Sequence, residues 1–285
     1  MQTPTPVFPM QHQNQQPGKE SSMQPKPQYN NPNYKAAGKL TGKVAVITGG
    51  DSGIGRAVAV TYAKEGADIA ILYLNEKDDA RQVIREVQEM GRRCEAIPAD
   101  LKCEENARNA VQEVVNQFGR IDILVNNAGV QYPANSILDI SHDQLMHTFE
   151  SNYFSYFYVT KAALPSIPPG GAIINTASIT AFEGDETLID YSSTKGAIVT
   201  FTRSMALSLM KLNIRVNCVS PGPVWTPLIV SSFSPEKVQT FGSCSPMGHA
   251  AQPYELAPMY MYLASEDSSN VTGQVMHVNS GNIIN

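Results

Sequence analysis

The stretch "KVAVITGGDSGIGR", residues 43–56, decides the fold. Residues 43–48 are a short apolar run with no polar alternation, as in a strand covered on both faces. The glycines that follow, Gly49, Gly53 and Gly55, sit in a T-G-x-x-x-G-x-G spacing begun by Thr48. A helix is predicted from Ile54 to Glu65, stopped by Gly66. Such a turn lets backbone N–H groups approach a pyrophosphate, and the helix start adds the positive end of its dipole. Taken alone, these residues favour a dinucleotide site, with an ordinary glycine-rich turn between strand and helix as the alternative.

Downstream the pattern repeats. Strands are expected at 68–74, 94–100, 121–127, 171–178, 214–220 and 273–279, which with the first makes seven. Between them lie predicted helices at 77–90 and 106–118, and a long one from a possible capping box at Ser141 and Gln144 towards Leu164. Another contains Tyr191, and the last runs from about Tyr254 to Ala264. The strands are apolar throughout, so both faces should be covered. The expected fold is α/β, Rossmann-type and doubly wound: a seven-stranded parallel sheet with helices on both faces and right-handed crossovers. Residues 222–252 read as a long irregular insertion with one short helix, of the kind that often forms a lid.

Composition shifts near residue 40. Of the first 40 residues 18 are Gln, Pro or Asn, with four lysines against one glutamate. Such a segment buries too little apolar surface to form a domain. Residues 1–40 are therefore an arm and 41–285 a single domain. The arm is either a free tail or a strap along the body or a neighbouring subunit. The net charge of −5 gives no reason to expect nucleic acid or an anionic membrane as a partner. The cysteines Cys94, Cys103, Cys218 and Cys244 and the five histidines are dispersed, which argues against a metal site and a disulfide framework. With no secretory apolar region at the start and no membrane-length run, a cytoplasmic location is expected.

Several residues could carry chemistry. "NNAG" (126–129) ends the fourth strand with small residues that leave room for a ligand, or make a plain turn. Asp100 closes the third strand at the same sheet edge, where it could accept from an adenine amino group or simply be solvated. Tyr191 and Lys195 lie one helical turn apart on one face. As an isolated pair they read as amphipathic side chains snorkelling from a packed helix.

These motifs, a serine 13 residues before Tyr191 and "SPGPVWT" (220–226) occur in one order. The chain resembles the short-chain dehydrogenase/reductase family over roughly residues 40–285. "GGDSGIGRAV", "IINTASI", "PGPVWTPLI" and the arm are similar to a bacterial subgroup of general-stress and glucose/ribitol-type dehydrogenases. The resemblance implies an oxidoreductase using NAD or NADP. It would interconvert a small neutral secondary alcohol, a polyol or sugar among the candidates, and its carbonyl. The alternatives are a non-catalytic nucleotide-binding redox sensor, a 3-oxoacyl-type carbonyl reductase, or a nucleotide-sugar epimerase or dehydratase.

By the same resemblance Tyr191 is the general acid/base, Lys195 supplies charge favouring its phenolate and holds the nicotinamide ribose, Ser178 holds the substrate oxygen, and Asn152 holds a relay water. Cofactor contacts are implied for Gly49, Asp51, Ser52, Gly53, Ile54 and Gly55 of the first turn, and for Tyr73 after the second strand. Further contacts are implied for Asp100 and Leu101; for Asn127, Ala128 and Gly129; for Tyr191 and Lys195; and for Pro221, Gly222, Val224 and Thr226. An acidic residue at the position of Tyr73 would select NAD, and a basic one nearby NADP. Tyr73 is neither. Ser52 stands where NADP-preferring relatives often carry Arg or Lys, and Asp51 should repel a 2′-phosphate, so the reading points to NAD. Phe182, Trp225 and Leu228 are candidate walls of the substrate pocket, Trp225 reading equally as a buried anchor. A homotetramer is implied, and the aromatic run at 153–164 agrees with a subunit interface or with a monomer's core.

Overall fold

The computed structural model describes residues 3–283; the first two residues of the arm and the last two of the domain lie outside that description. Seven parallel strands form one sheet in the order β3-β2-β1-β4-β5-β6-β7. In chain order, β1 (Val44–Thr48), α1 (Gly53–Lys64), β2 (Asp68–Tyr73), α2 (Lys77–Glu89), β3 (Cys94–Pro98), α3 (Glu104–Phe118) and β4 (Ile123–Asn126) form the first half. Then come α4 (His142–Phe149), α5 (Ser155–Ala163), β5 (Ala172–Thr176), α6 (Thr180–Glu183), α7 (Ile189–Leu209), β6 (Arg215–Pro221), α8 (Pro227–Ser232), α9 (Pro235–Gln239), α10 (Pro253–Ala264) and β7 (Val275–Val278). The order reverses between β1 and β4, and that reversal opens a crevice at the carboxyl ends of the strands.

Strand side chains divide between two cores. Ala45, Ile47, Ile69 and Ile71 point to one face, where Val58 and Tyr62 of α1 meet Leu256 and Tyr260 of α10. Val46, Ala70 and Leu72 point to the other, against Val111 and Val114 of α3, Val159 of α5 and Leu209 of α7. Each fully buried Ile or Leu contributes roughly 1.5–3 kcal/mol relative to exposure. The expectation of strands covered on both faces fails at β3, where Glu95 and Pro98 are exposed. An edge strand has one neighbour and one open flank, so polar residues are tolerated there.

Three other expectations are corrected. The long helix after Ser141 is interrupted by a π-turn at Glu150–Phe154, between α4 and α5. Ser141 caps Gln144 N–H at 3.0 Å, but the Gln144 amide donates to Tyr132 O and Asp190 rather than closing a capping box. The segment 222–252 holds two short helices, α8 and α9, and Val224 bridges to Ala251.

Polar ties fix the strand ends against the helices. Asn126 Nδ2 donates to Asn175 Oδ1 across β4 and β5 (2.9 Å), and Asn175 Nδ2 to Thr202 Oγ1 of α7 (2.9 Å). Of the two readings of the arm, the structure places it along the body. Its Met23 is fully buried beside Trp225, and Tyr34 hydroxyl donates to Glu65 at 2.5 Å.

Candidate active site

A cavity of about 540 Å³ lies over the carboxyl ends of β1, β4, β5 and β6. Its floor is the turn after β1, and the geometry there explains the glycines. Gly53 has φ +52°, a left-handed conformation that penalises a Cβ. A Cβ on Gly55 would lie 2.0 Å from the carbonyl oxygen of Gly49, so only glycine lets α1 begin so close to the turn. Gly49, Asp51, Ser52, Gly53 and Ile54 line the cavity; Gly55 supports it from behind.

Asn127, Ala128 and Gly129 continue the wall after β4. Thr48 Oγ1 accepts from the N–H groups of Asn127 (2.9 Å) and Ala128 (3.1 Å), which locks this turn to the first one. Pro221, Gly222, Val224 and Thr226 line the side beyond β6. Tyr73, Asp100 and Leu101 stand outside the cavity. Tyr73 is buried in the first core, Leu101 packs into the second, and Asp100 pairs with Lys102 Nζ at 3.5 Å.

Tyr191, Lys195 and Ser178 all line the cavity. The start of α7 is held by Asp190, whose carboxylate accepts from Tyr191 N–H (2.8 Å), Thr148 Oγ1 (2.9 Å) and Gln144 Nε2 (3.1 Å). Ser178, just past β5, hydrogen-bonds the Tyr191 phenol and accepts from Thr180 N–H at 3.2 Å. Lys195 Nζ donates to the carbonyl of Thr176 at 3.0 Å and lies 5.4 Å from the centre of the Tyr191 ring.

Charge here does not follow the sequence expectation. Burial pushes the Tyr191 phenol up to about 12, with the Ser178 hydrogen bond opposing it. Burial pulls Lys195 down to about 8. Desolvation is therefore the dominant cause at both groups in the chain by itself.

Asn152 sits within the π-turn, fully buried. Its side chain is committed: Oδ1 accepts from Val130 N–H (2.8 Å), and Nδ2 donates to Val130 O (2.9 Å) and Thr194 Oγ1 (3.1 Å). A Cβ on Gly129 would stand 3.3 Å from Asn152 Oδ1 and 3.7 Å from Lys195 Nζ, so glycine keeps a space between them.

Two expected pocket walls are corrected. Trp225 is fully buried behind the wall, stacked on Phe8 at 3.7 Å between ring centres, with Nε1 donating to Pro25 O at 2.9 Å. Phe182 is 39% exposed and lies edge-on to His277 instead. Leu228 does line the cavity. The outer wall comes from residues the sequence did not single out: Pro4, Pro17 and Gly18 of the arm, and Gln131, Asp185 and Lys237.

Glu20, the single carboxylate among the first 40 residues, is also unforeseen. It accepts from Gly53 N–H at 2.7 Å and pairs with Arg56 at 2.6 Å, standing in for an N-cap that Ser52 does not supply. Asp51 is buried and pushed up to about 7 by desolvation, reinforced by Glu76. Glu76 itself is buried three residues beyond β2, whereas sequence reasoning placed the deciding position at Tyr73.

A left-handed glycine at a helix start, close-packed turns and a buried carboxylate at the cavity edge fit a dinucleotide. The comparisons agree. The family model described as Enoyl-(Acyl carrier protein) reductase matches residues 49–282. General stress protein 39 of Bacillus subtilis (strain 168) is 54% identical over 277 residues, covering 97% of each chain. Glucose and ribitol dehydrogenase of Daucus carota is 50% identical over 286 residues, covering 98% of each. Among solved structures, a blue fluorescent protein from a metagenomic library in complex with NADPH superposes with TM-score 0.80 at 33% identity, covering 85% of this chain and 98% of the other.

Proposed function

The chain belongs to the short-chain dehydrogenase/reductase family and is an NAD(P)-dependent oxidoreductase, and from that premise we propose that it interconverts a small neutral secondary alcohol, a polyol or open-chain sugar, and its carbonyl. The observation that carries this reading is the convergence of Tyr191, Ser178 and Lys195 on one cavity beside the glycine turn. When bound, the nicotinamide supplies or accepts the hydride.

The chain's own residues handle the proton and the charge. Ser178 hydroxyl orients the substrate oxygen and stabilises charge developing there. Tyr191 gives a proton to that oxygen during reduction and takes one during oxidation. Lys195 supplies a cation beside the phenol, and Asn152 and Gly129 bound the space through which Lys195 exchanges protons with water. Hydroxyls of a polyol find acceptors in Asp185 and Gln131 of the wall. The name of the Daucus carota relative supports a sugar or polyol.

We further propose NAD as the preferred form: the buried carboxyl of Asp51 lines the cavity with Glu76 beside it, and a carboxylate near a 2′-phosphate would disfavour NADP. The NADPH named for the structural neighbour points the other way, so both cofactors belong in the test. A nicotinamide-absorbance screen over aldoses, polyols, short ketones and 3-oxoacyl thioesters, with each cofactor, separates the readings. Turnover of polyols or short carbonyls is expected. Turnover of acyl thioesters alone would contradict the substrate assignment, and cofactor binding with no turnover would favour a nucleotide sensor.

A further inference from the structure

The N-terminal arm hydrogen-bonds the segment that carries α8 and α9. Val7 and Phe8 both donate their N–H groups to Gln239 O (2.8 and 3.1 Å), at the end of α9. Gln13 N–H donates to Val230 O of α8 at 2.7 Å, and His12 Nδ1 lies 2.8 Å from Phe233 O. Gln16 and Gln131 bond reciprocally: Gln16 Nε2 to Gln131 O at 2.7 Å, and Gln131 N–H to Gln16 Oε1 at 3.2 Å. These bonds tie α8 and α9 through the arm to the turn after β4.

Gly18 is the closest point of contact. A Cβ there would meet Pro227 O at 2.8 Å and Ser231 Cβ at 3.0 Å. Beyond it the arm is anchored on both sides of the active site. Glu20 caps α1 through Gly53, and Met23 packs with Leu188, Tyr191 and Trp225. N-terminal to these anchors, Pro4, Pro17 and Gly18 line the cavity. Three rigid or side-chain-free residues make a wall that does not fold aside by a rotamer change.

We propose that the N-terminal arm is a clasp that holds α8 and α9 closed and sets the substrate-size limit of the pocket, with Pro4, Pro17 and Gly18 as its specificity-determining residues. Substrates are restricted to short, unbranched carbonyls and alcohols, and a long acyl thioester is excluded by the arm rather than by the catalytic residues. This rests on the oxidoreductase reading above.

The test uses the full-length protein and two variants. Gly18→Val places a side chain against Pro227 and lifts the arm from α8; Phe8→Ala removes the ring stacked on Trp225 and is the milder change. Hydrogen exchange over residues 226–242 reads the clasp without substrate. Relative kcat/KM for dihydroxyacetone and a long-chain 3-oxoacyl thioester, both ketones reduced to secondary alcohols, reads the size limit. Both variants are expected to exchange faster across 226–242. In Gly18→Val the ratio should shift towards the larger substrate by about tenfold or more, the scale of pocket-size discrimination. Unchanged exchange in both variants, or an unchanged ratio in a variant that has lost lid protection, would overturn the proposal. If the full-length protein turns over neither compound, the substrate reading fails by itself, and the exchange comparison still decides whether the arm is a clasp.

Discussion

Lys195 Nζ lies 5.4 Å from the centre of the Tyr191 ring while donating its hydrogen bond to Thr176 O at 3.0 Å. The two groups share one buried site, but the lysine addresses the end of β5 rather than the phenol oxygen. Burial then separates their acidities, the phenol to about 12 and the ammonium to about 8. In the proposed mechanism carbonyl reduction uses a protonated phenol and a charged lysine, and both conditions hold together only on the acid side of Lys195.

The kcat/KM for reduction should therefore be level below about pH 8 and fall above it as Lys195 loses its charge. In Lys195→Met the rate should drop by roughly 10²-fold, and the inflection should vanish. A profile of the variant that keeps the inflection would assign it to another group.

Alkaline stability follows from the buried phenols. Tyr62, Tyr156, Tyr191 and Tyr260 are all raised by burial above the ordinary value of 10. Their folded-state values exceed the unfolded one, so the contribution is fully present below pH 10 and lost as pH rises through the folded values. Lys195 runs the other way: it is depressed, so its contribution is full above the ordinary 10.5 and lost as pH falls towards 8. With four phenols against one ammonium, the melting temperature should fall steeply above pH 10. In a tyrosinate absorbance titration part of the signal should appear only with unfolding.

Cofactor choice should respond to Asp51. Its carboxyl, raised to about 7 beside Glu76, is substantially ionised only above neutrality. Affinity for NADP relative to NAD should rise as pH falls from 8 to 6. Asp51→Asn should raise that ratio by about tenfold at pH 8, equivalent to about 1.4 kcal/mol. Equal ratios for wild type and variant would remove Asp51 from the explanation.

Gly55→Ala tests the turn. Its Cβ would fall 2.0 Å from Gly49 O, a backbone atom that cannot swing away. A stability loss of about 1–3 kcal/mol is expected, together with weakened nicotinamide binding by titration. A variant as stable as wild type would mean that α1 can shift without cost.

The fold was legible because its signals are local and redundant. Apolar strands, glycine stops and helical periodicity each mark the same boundaries, and both cores consist of the residues that carry those patterns. The turn glycines and the Tyr191–Lys195 pair were legible for the same reason. What escaped was non-local. Glu20 reaches Gly53 across 33 positions, and Trp225 meets Pro25 across 200. No periodicity couples residues so far apart, and a segment rich in Gln and Pro gives no sign of the surface it covers. Glu76 escaped differently: a carboxylate just past a strand reads as solvated until Asp51 and Asp79 are seen beside it. The direction of the Tyr191 shift also needed the structure, because the balance of desolvation against a nearby cation depends on burial that spacing does not give.

The most direct measurement is Tyr191→Phe, assayed for nicotinamide binding by fluorescence titration and for turnover by absorbance. The substitution removes one hydroxyl and leaves the ring in its packing with Met23 and Leu188. The predicted result is cofactor affinity within about twofold of wild type and a kcat lower by roughly 10²–10⁴-fold. Undiminished turnover in a folded, cofactor-binding variant would contradict the assignment of Tyr191 as the proton donor.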